Sequence, residues 1–447
     1  MSLTEKPLVD LIAFSQSSTY HGLGPEELAV IGALGCFEHD SSIKIWRNQL
    51  EKMTIAERKR KVETILRETS GRGHGSVLDQ PHFTFSIDGI PRLATLELCS
   101  PEYLMHLQQS LRRVTAEAGF YIPKPIIEHG FEELVKGAFT KSLESYNKLL
   151  NEEKIKAEDA RFVLPLLTRT KIQTTGNARE LMHLHSMSRK DYMPSAIRDT
   201  VENMMDELRE VAPRLFKERE TNYEQLAWFP SPQIFAPLNK TMTDLVLITG
   251  RKKTSYLGKH TIPISLQAIE NGVEERYEAE LANLKHMHFT YLSPMSIATL
   301  HQAIRQRTWN QSVEPIYHAV ERGEFVTPPA VKKNRNARLT FDKANDLLLS
   351  LYHQMVSKGV PQQEAIGVVP HALKVYDLIH INGWNALHSI GKRRCKEAQW
   401  EIRDIATDIS DKVREEVPEL GKYSMPQGII YGRCPERKSC GLCSHKD

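Results

Sequence analysis

The chain has 447 residues, of which 26% are charged and 40% hydrophobic, with a net charge of +3. That balance does not demand nucleic acid as a partner and is compatible with small anionic substrates. No apolar run approaches a membrane span, Glu5 and Asp10 interrupt what would be a signal peptide, and six cysteines are too few for a disulfide scaffold, so the expectation is a soluble cytoplasmic protein.

Residues 7–15, PLVDLIAFS, read as a first strand. Gly24-Pro25-Glu26-Glu27 then starts a helix with an apolar face through Leu28, Ile31 and Leu34, and Cys36 closes it as a small buried residue. Charge-rich helix runs through Lys59–Arg67 to the break at Gly71-Arg72-Gly73. The stretch from Gly73 to Val114 joins a strand signal to a polar segment. Phe83-Thr84-Phe85-Ser86-Ile87 alternates as a half-buried strand should, and Gly89-Ile90-Pro91 is read as its end. His74, Ser76 and Asp79 stand just upstream. Downstream, Gln109, Ser110 and Arg112 lie on a polar, helix-like segment; a hydroxyl and a guanidinium two residues apart suit a phosphate. Cys99 sits in the apolar run LATLELC with no close His or Arg, which argues against a nucleophilic thiolate.

Long helical sequence around Phe131–Leu150 leads to Ala160-Arg161-Phe162-Val163-Leu164-Pro165 and to Gly176-Asn177-Ala178-Arg179-Glu180-Leu181-Met182-His183. Asn177 is equally readable as the N-cap of the helix that Leu181, Met182 and Leu184 bury. Pro213 to Lys240 reads as a linker. Beyond it the pattern returns. Phe289 follows Phe83 by 206 residues, while Pro370, Asn382 and His388 follow Pro165, Asn177 and His183 by 205. A near-constant offset is what duplication of a whole domain leaves. The expected organisation is a first domain over 1–215, a linker at 216–240, a second domain over 241–430 and a Cys-rich tail over 431–447.

In the second copy, Thr327-Pro328-Pro329 and Lys332-Lys333-Asn334-Arg335 read as an exposed loop, and in Ala398-Gln399-Trp400-Glu401-Ile402-Arg403 the residues Trp400 and Ile402 read as core with Gln399 and Glu401 facing elsewhere. In the tail, Cys434, Cys440, Cys443 and His445 offer soft ligands for zinc or an iron–sulfur group, against a reading as reduced thiols.

GHGSVLDQPHFTF, QQSLRRV, ARFVLP, GNARELMH, RQRTWN and AQWEIR together resemble the flavin-dependent thymidylate synthases. The resemblance spans nearly the whole chain outside the tail, one family domain per half. It implies an α/β (α+β) fold, each domain a central, mostly antiparallel sheet flanked by long helices. It also implies FAD as cofactor, conversion of dUMP to dTMP, methylenetetrahydrofolate as carbon donor and NADPH as reductant. A homodimer would imitate the family's tetramer with four such domains.

The family signature is divided between the halves. Its Arg-His-Arg triplet is Ser100-Pro101-Glu102 in the first half and Arg305-Gln306-Arg307 in the second; its closing Ser-x-Arg survives as Ser110 and Arg112 but becomes Pro315 and Tyr317. The resemblance places Gln109, Ser110, Arg112, Arg161, Arg189 and Arg393 at dUMP, with Arg393 also the catalytic candidate that reads the pyrimidine. Ser110, Arg112 and Arg161 would form one anion site. It places His74, Ser76, Asp79, Asn177, Arg179, His183, Arg305, Gln306, Arg307, Asn382 and His388 at FAD. Each half lacks what the other keeps, which favours one composite site. Two other readings stay open: an inactive flavin- or nucleotide-binding paralogue with a regulatory or structural role, and a related flavin-dependent methylation of another pyrimidine or an RNA base.

Overall fold

The structure is a computed structural model that describes residues 3–112, 119–217, 230–248, 253–261 and 279–430, with residues 432, 434, 437 and 439–441 of the tail. Contacts divide the chain into two compact units. Unit 1 comprises Met1–Glu144, Leu164–Ser231 and Ser350–Val369; unit 2 comprises Ser145–Val163, Pro232–Leu349 and Pro370–Asp447. Each unit thus takes most of one sequence half and a segment of the other.

Unit 1 is built on a four-stranded antiparallel sheet in the order β1-β2-β4-β3, from β1 Leu8–Phe14, β2 His82–Pro91, β3 Met105–Gln108 and β4 Arg169–Asn177. Phe83, Phe85 and Ile87 point inward and are almost completely buried while Ser86 between them is exposed, the period-2 pattern of a sheet with one dry face. The helix Ser195–Val211 covers β1 and β2 with Ile197, Val201, Met204 and Leu208. Strand β2 does not stop at Gly89. It continues to Pro91 across a bulge between Asp88 and Ile90, where Gly89 takes φ +74°, a conformation that favours glycine. Buried Arg169 ties the bulge down, donating to Gly89 O at 2.8 Å and Phe120 O at 2.9 Å.

Unit 2 repeats the plan with β5 Ser255–His260, β6 His288–Ser296, β7 Asn310–Val313 and β8 Lys374–Asn382 in the order β5-β6-β8-β7. Correspondence with unit 1 extends to single contacts. The isolated bridges Phe120↔Thr168 and Phe325↔Leu373 are each offset by 205 residues (325 − 120 and 373 − 168). The helices Ala178–Ser188 and Gly383–Arg393, and Ser195–Val211 and Trp400–Glu416, share that offset. Duplication of an α+β domain, with two antiparallel sheets flanked by helices, is therefore a property of the fold.

The segments contributed by the opposite half are bonded reciprocally inside each unit. In unit 1, Glu364 accepts from Ser195 N at 3.0 Å and from its Oγ at 2.5 Å, and Leu167 N donates to Gly367 O at 3.0 Å. In unit 2, Asp159 accepts from Trp400 Nε1 at 2.8 Å, and Ala372 N donates to Phe162 O at 2.9 Å. Asp159 and Glu364 occupy matching positions, 205 residues apart (364 − 159), so each acid anchors the start of the same helix in the unit that receives it.

Four local expectations are corrected. Cys36 does close its helix, Pro25–Gly35, but it is exposed, because a C-cap at the helix end turns its side chain to solvent. Gln109 to Arg112 form a turn after β3 and not a helix; the helix of this stretch is Arg92–Leu98, which starts directly after Pro91. Residues 327–335 are largely helical, with Pro329–Lys333 and then Arg335–Ser357, and Val331 buried while Lys332 and Lys333 remain solvated. Gln399 and Glu401 are buried, not turned outward. Of the linker, residues 218–229 lie outside the described residues; Ile234 and Phe235 pack as core. No helix among the described residues is long and apolar enough to cross a membrane.

Candidate functional site

In unit 1 the short turn Gly75–Asp79 and the paired ends of β2 and β4, His82 opposite Asn177, bring three polar residues together. Asp79 accepts from Asn177 Nδ2 and from Arg179 Nη1, each at 3.5 Å. Asn177 caps the helix Ala178–Ser188, its Oδ1 accepting from Glu180 N at 2.9 Å, so the capping role and contact with Asp79 coexist in one side chain. A side chain at Gly75 would meet Arg179, its Cβ lying 3.1 Å from Nε, so a small residue keeps that guanidinium in place. Burial raises the Asp79 carboxyl above its ordinary range, opposed by Arg179. His74 and Ser76 are exposed on the same segment. His183 is buried one turn along the helix, with Nδ1 4.0 Å from Glu180 Oε2; Glu180 is 1% exposed and its carboxyl oxygens accept no hydrogen bond among the described residues.

Gln109, Ser110 and Arg112 also belong to unit 1. Gln109 N donates to Lys171 O at 2.9 Å, its carbonyl accepts from Arg92 Nη1 at 3.3 Å, and Ser110 Oγ accepts from Arg112 N at 3.3 Å. Arg189 is the exposed C-cap of the helix Ala178–Ser188. Cys99 ends the helix Arg92–Leu98 and is 4% exposed, packed as expected of a structural thiol.

Arg161 is in unit 2, so neither unit alone holds Ser110, Arg112 and Arg161. Buried Arg161 donates through Nε to Glu158 O at 3.1 Å and through Nη2 to Ala298 O at 3.4 Å. Ala298 lies in the helix Ile297–Ala303; one turn on, Gln302 O accepts from Arg393 Nη2 at 3.4 Å. Gln306 lies in the loop just past the end of that helix. A guanidinium only donates, so the Gln306 amide oxygen faces it, accepting from Arg393 Nε at 3.0 Å and also from Nη2. Ala298 and Gln302 on this helix and Gln306 just beyond it are therefore contacted by two arginines, one from the first sequence half and one from the second.

Three residue pairs fasten the loop after this helix onto the helix Gly383–Arg393. Besides Gln306 and Arg393, Thr308 Oγ1 donates to Asn385 Oδ1 at 2.7 Å while Asn385 Nδ2 returns a bond to Thr308 O at 2.8 Å, and Trp309 Nε1 donates to Ser389 Oγ at 2.7 Å. Asn385, Ser389 and Arg393 are spaced by four, one stripe of a helix. That spacing was a signal in the sequence, and Asn385, Ser389 and Thr308 were not singled out from it. Arg305 is half-buried; Arg307 is exposed and makes no ion pair or hydrogen bond among the described residues. Asn382 caps the helix, accepting from Asn385 N at 2.9 Å, and on its adjacent face His388 stacks on Trp384, with centroids 5.8 Å apart and planes 6° from parallel.

Glu401 lies under this site. It accepts from Ser296 N at 2.7 Å and from Ser296 Oγ and Thr299 Oγ1 at 2.6 Å each. Burial raises its carboxyl, opposed by these hydrogen bonds and by Arg161. In the tail, Cys434 and Cys440 are half-buried free thiols, Cys443 and His445 lie outside the described residues, and no group of three or more metal-ligating side chains occurs among the described residues.

The family model described as thymidylate synthase complementing protein matches residues 19–214 and 268–419. A flavin-dependent thymidylate synthase of Pyrococcus furiosus is 29% identical over 215 residues, 45% of this chain and 88% of that protein. One from Pyrococcus abyssi is 30% identical over 220 residues, again 45% and 88%, and one from Sulfolobus acidocaldarius is 35% identical over 178 residues, 39% and 66%. Among solved structures, the UMP/dUMP methylase PolB from Streptomyces cacaoi bound with 5-Br dUMP is 20% identical, covering 48% of this chain and 96% of that one with a TM-score of 0.40.

Proposed function

This chain belongs to the thymidylate synthase complementing protein family, and from that premise we propose that it methylates dUMP to dTMP in a flavin-dependent reaction, with methylenetetrahydrofolate as carbon donor and NADPH as reductant. The observation that carries the reading is the position of Gln306: it lies between Arg305 and Arg307, the candidate flavin grip, and is bonded to Arg393, the candidate pyrimidine contact. Cofactor and substrate residues are thereby held within one residue of each other.

The residues fit FAD. Two guanidiniums of which one is exposed and unengaged suit the pyrophosphate of a dinucleotide, and Arg makes such contacts bidentately. Arg305 and Arg307 would hold that group, with Asn382 and His388 beside them in unit 2 and Asp79, Asn177, Arg179 and His183 as the matching set in unit 1. Bound FAD would supply the reducing equivalents that turn the transferred carbon into a methyl group. The protein's part is positioning: Arg393, held by Gln302 O and Gln306, would stand against the pyrimidine, where developing negative charge on the ring is stabilised by a cation that needs no reorganisation. Arg161, bonded to Ala298 O of the helix Ile297–Ala303, would add positive charge toward the substrate phosphate. The composite character rests on this pairing, since Arg161 comes from the first half and Arg393 from the second. A homodimer presenting four such domains is the assembly we expect, and sedimentation would register it.

The visible spectrum tests the reading. Wild-type protein is expected to retain a flavin band that shifts on adding dUMP. The double variant Arg305→Ala/Arg307→Ala should lose the band, and Arg393→Ala should keep it while losing the dUMP-induced shift. Loss of both responses in both variants would contradict this division of labour. A second reading, binding without turnover, is favoured by one observation: Arg161 already gives two donors to backbone carbonyls. A retained flavin with no dTMP formed from dUMP, folate and NADPH would establish that reading instead.

A further inference from the structure

Gln306 stands where the signature carries histidine, and its contact defines what it can do. A neutral imidazole offers one donor and one acceptor, whereas a primary amide offers a carbonyl and two N–H groups. Here the carbonyl is committed to Arg393 Nε at 3.0 Å and to Nη2, which leaves the Nε2 hydrogens as the amide's remaining function. The guanidinium contributes only donors as well. Arg393 and Gln306 are both half-buried, enclosed enough to order the pair and open enough to meet a ligand. The pair is present only in unit 2: the matching positions of unit 1 are Ser188 and Pro101, so both members are absent together there.

Building on the reading of Arg393 as the pyrimidine contact, we propose that Gln306 is a specificity-determining residue that reads the 4-keto oxygen of a uracil-type ring through Nε2 and rejects cytosine-type rings. A uracil ring presents an oxygen acceptor at position 4; a cytosine ring presents an amino group, which would set N–H against N–H. Arg393 holds the amide in the required orientation, because turning it over would oppose its NH2 to the guanidinium.

The test is equilibrium dialysis of the full chain, supplied with FAD, against dUMP and against dCMP, for wild type, Gln306→Glu, Gln306→Leu and Arg393→Ala. Wild type is expected to favour dUMP by about tenfold or more, the penalty for an unpaired buried donor. Gln306→Leu should bring the two affinities together. Gln306→Glu, which keeps an acceptor on Arg393 but replaces the N–H face by a second oxygen, should reverse the preference toward dCMP. An unchanged preference in both Gln306 variants, with dUMP binding still dependent on Arg393, overturns the inference and leaves the functional reading standing. No dUMP binding by wild type, or dUMP binding that survives Arg393→Ala, removes the functional reading and the inference with it.

Discussion

Glu401→Ala will destabilise unit 2 by about 3–5 kcal/mol, the penalty for stripping the acceptor from buried donors beside a buried cation. The carboxylate is the meeting point of two helix starts. Ser296 caps the helix Ile297–Ala303, its Oγ accepting from Thr299 N at 3.1 Å, and Glu401 accepts from the cap's own N and Oγ and from Thr299 Oγ1. Glu401 itself sits in the first turn of Trp400–Glu416, where Gln399 Oε1 accepts from its N at 3.2 Å. Removing the carboxylate leaves the Ser296 N–H without its acceptor and takes away a negative charge that attracts Arg161. Glu401→Gln keeps one acceptor and most of the shape, so a loss of about 1–2 kcal/mol is expected. Urea unfolding midpoints for the two variants check this; an alanine variant within about 0.5 kcal/mol of wild type would show that the network adds little beyond ordinary surface variation.

Asp377→Asn should stabilise the protein at pH 8 by about 2–4 kcal/mol and change little near pH 4. Asp377 is fully buried in β8, its Oδ2 accepting from Gln311 Nε2 at 2.6 Å while Oδ1 has no partner among the described residues. Burial pushes its carboxyl up to about 7, against an ordinary 3.8, with Gln311 opposing. The folded state therefore keeps a proton that the unfolded chain has released. Stability is greatest below the unfolded value, falls as pH rises, and levels off above about 7. Asparagine cannot ionise, so the variant lacks this slope. Buried Glu97, also pushed up to about 7, and Asp159, raised to about 6, slope the same way in both proteins and cancel in the comparison. His288 and His380, stacked with ring centroids 4.7 Å apart, act oppositely: burial lowers both, so their contribution is lost as pH falls below about 6.5. Melting temperatures at pH 5 and pH 8 decide the matter, and parallel pH profiles for wild type and variant would refute the assignment. The same position in the first half is Ile172, which carries no such charge.

How much of this could be read from the chain alone depends on the range over which each feature is encoded. The alternation of Phe83, Phe85 and Ile87, the helix start at Pro25 and the repeat offset are local patterns, and the structure keeps all three. The errors came where one residue had two local meanings. Gly89 signals an ending, yet a glycine inside a strand also marks a bulge. Pro91 looks like a breaker but occupies the cap of Arg92–Leu98. Gln399 and Glu401 look solvent-facing by helical alternation, but Gln399 is the cap itself and turns back over the first turn, and Glu401 finds donors on a helix about a hundred residues earlier. The contact between Gln306 and Arg393 was not legible because nothing local specifies which distant arginine a glutamine will meet. Nor was the pairing of Asp159 with Trp400 and of Glu364 with Ser195: two copies of one pattern offer each acid two equivalent helix starts, and periodicity does not choose between them.

Because unit 1 includes Ser350–Val369, translation sets a timetable for folding. A ribosome that has released the first sheet has not yet made Glu364, so the amino-terminal unit must wait, incomplete, until residue 369 of 447 has emerged. Unit 2 can use Ser145–Val163 as soon as its own strands appear. At synthesis rates of about 5–20 residues per second the nascent first unit spends roughly 10–40 seconds with a seam unfilled, which exposes it to chaperones and to neighbouring nascent chains. Severing the chain between the halves would make that wait permanent, so that two separately synthesised pieces could mature only by finding each other.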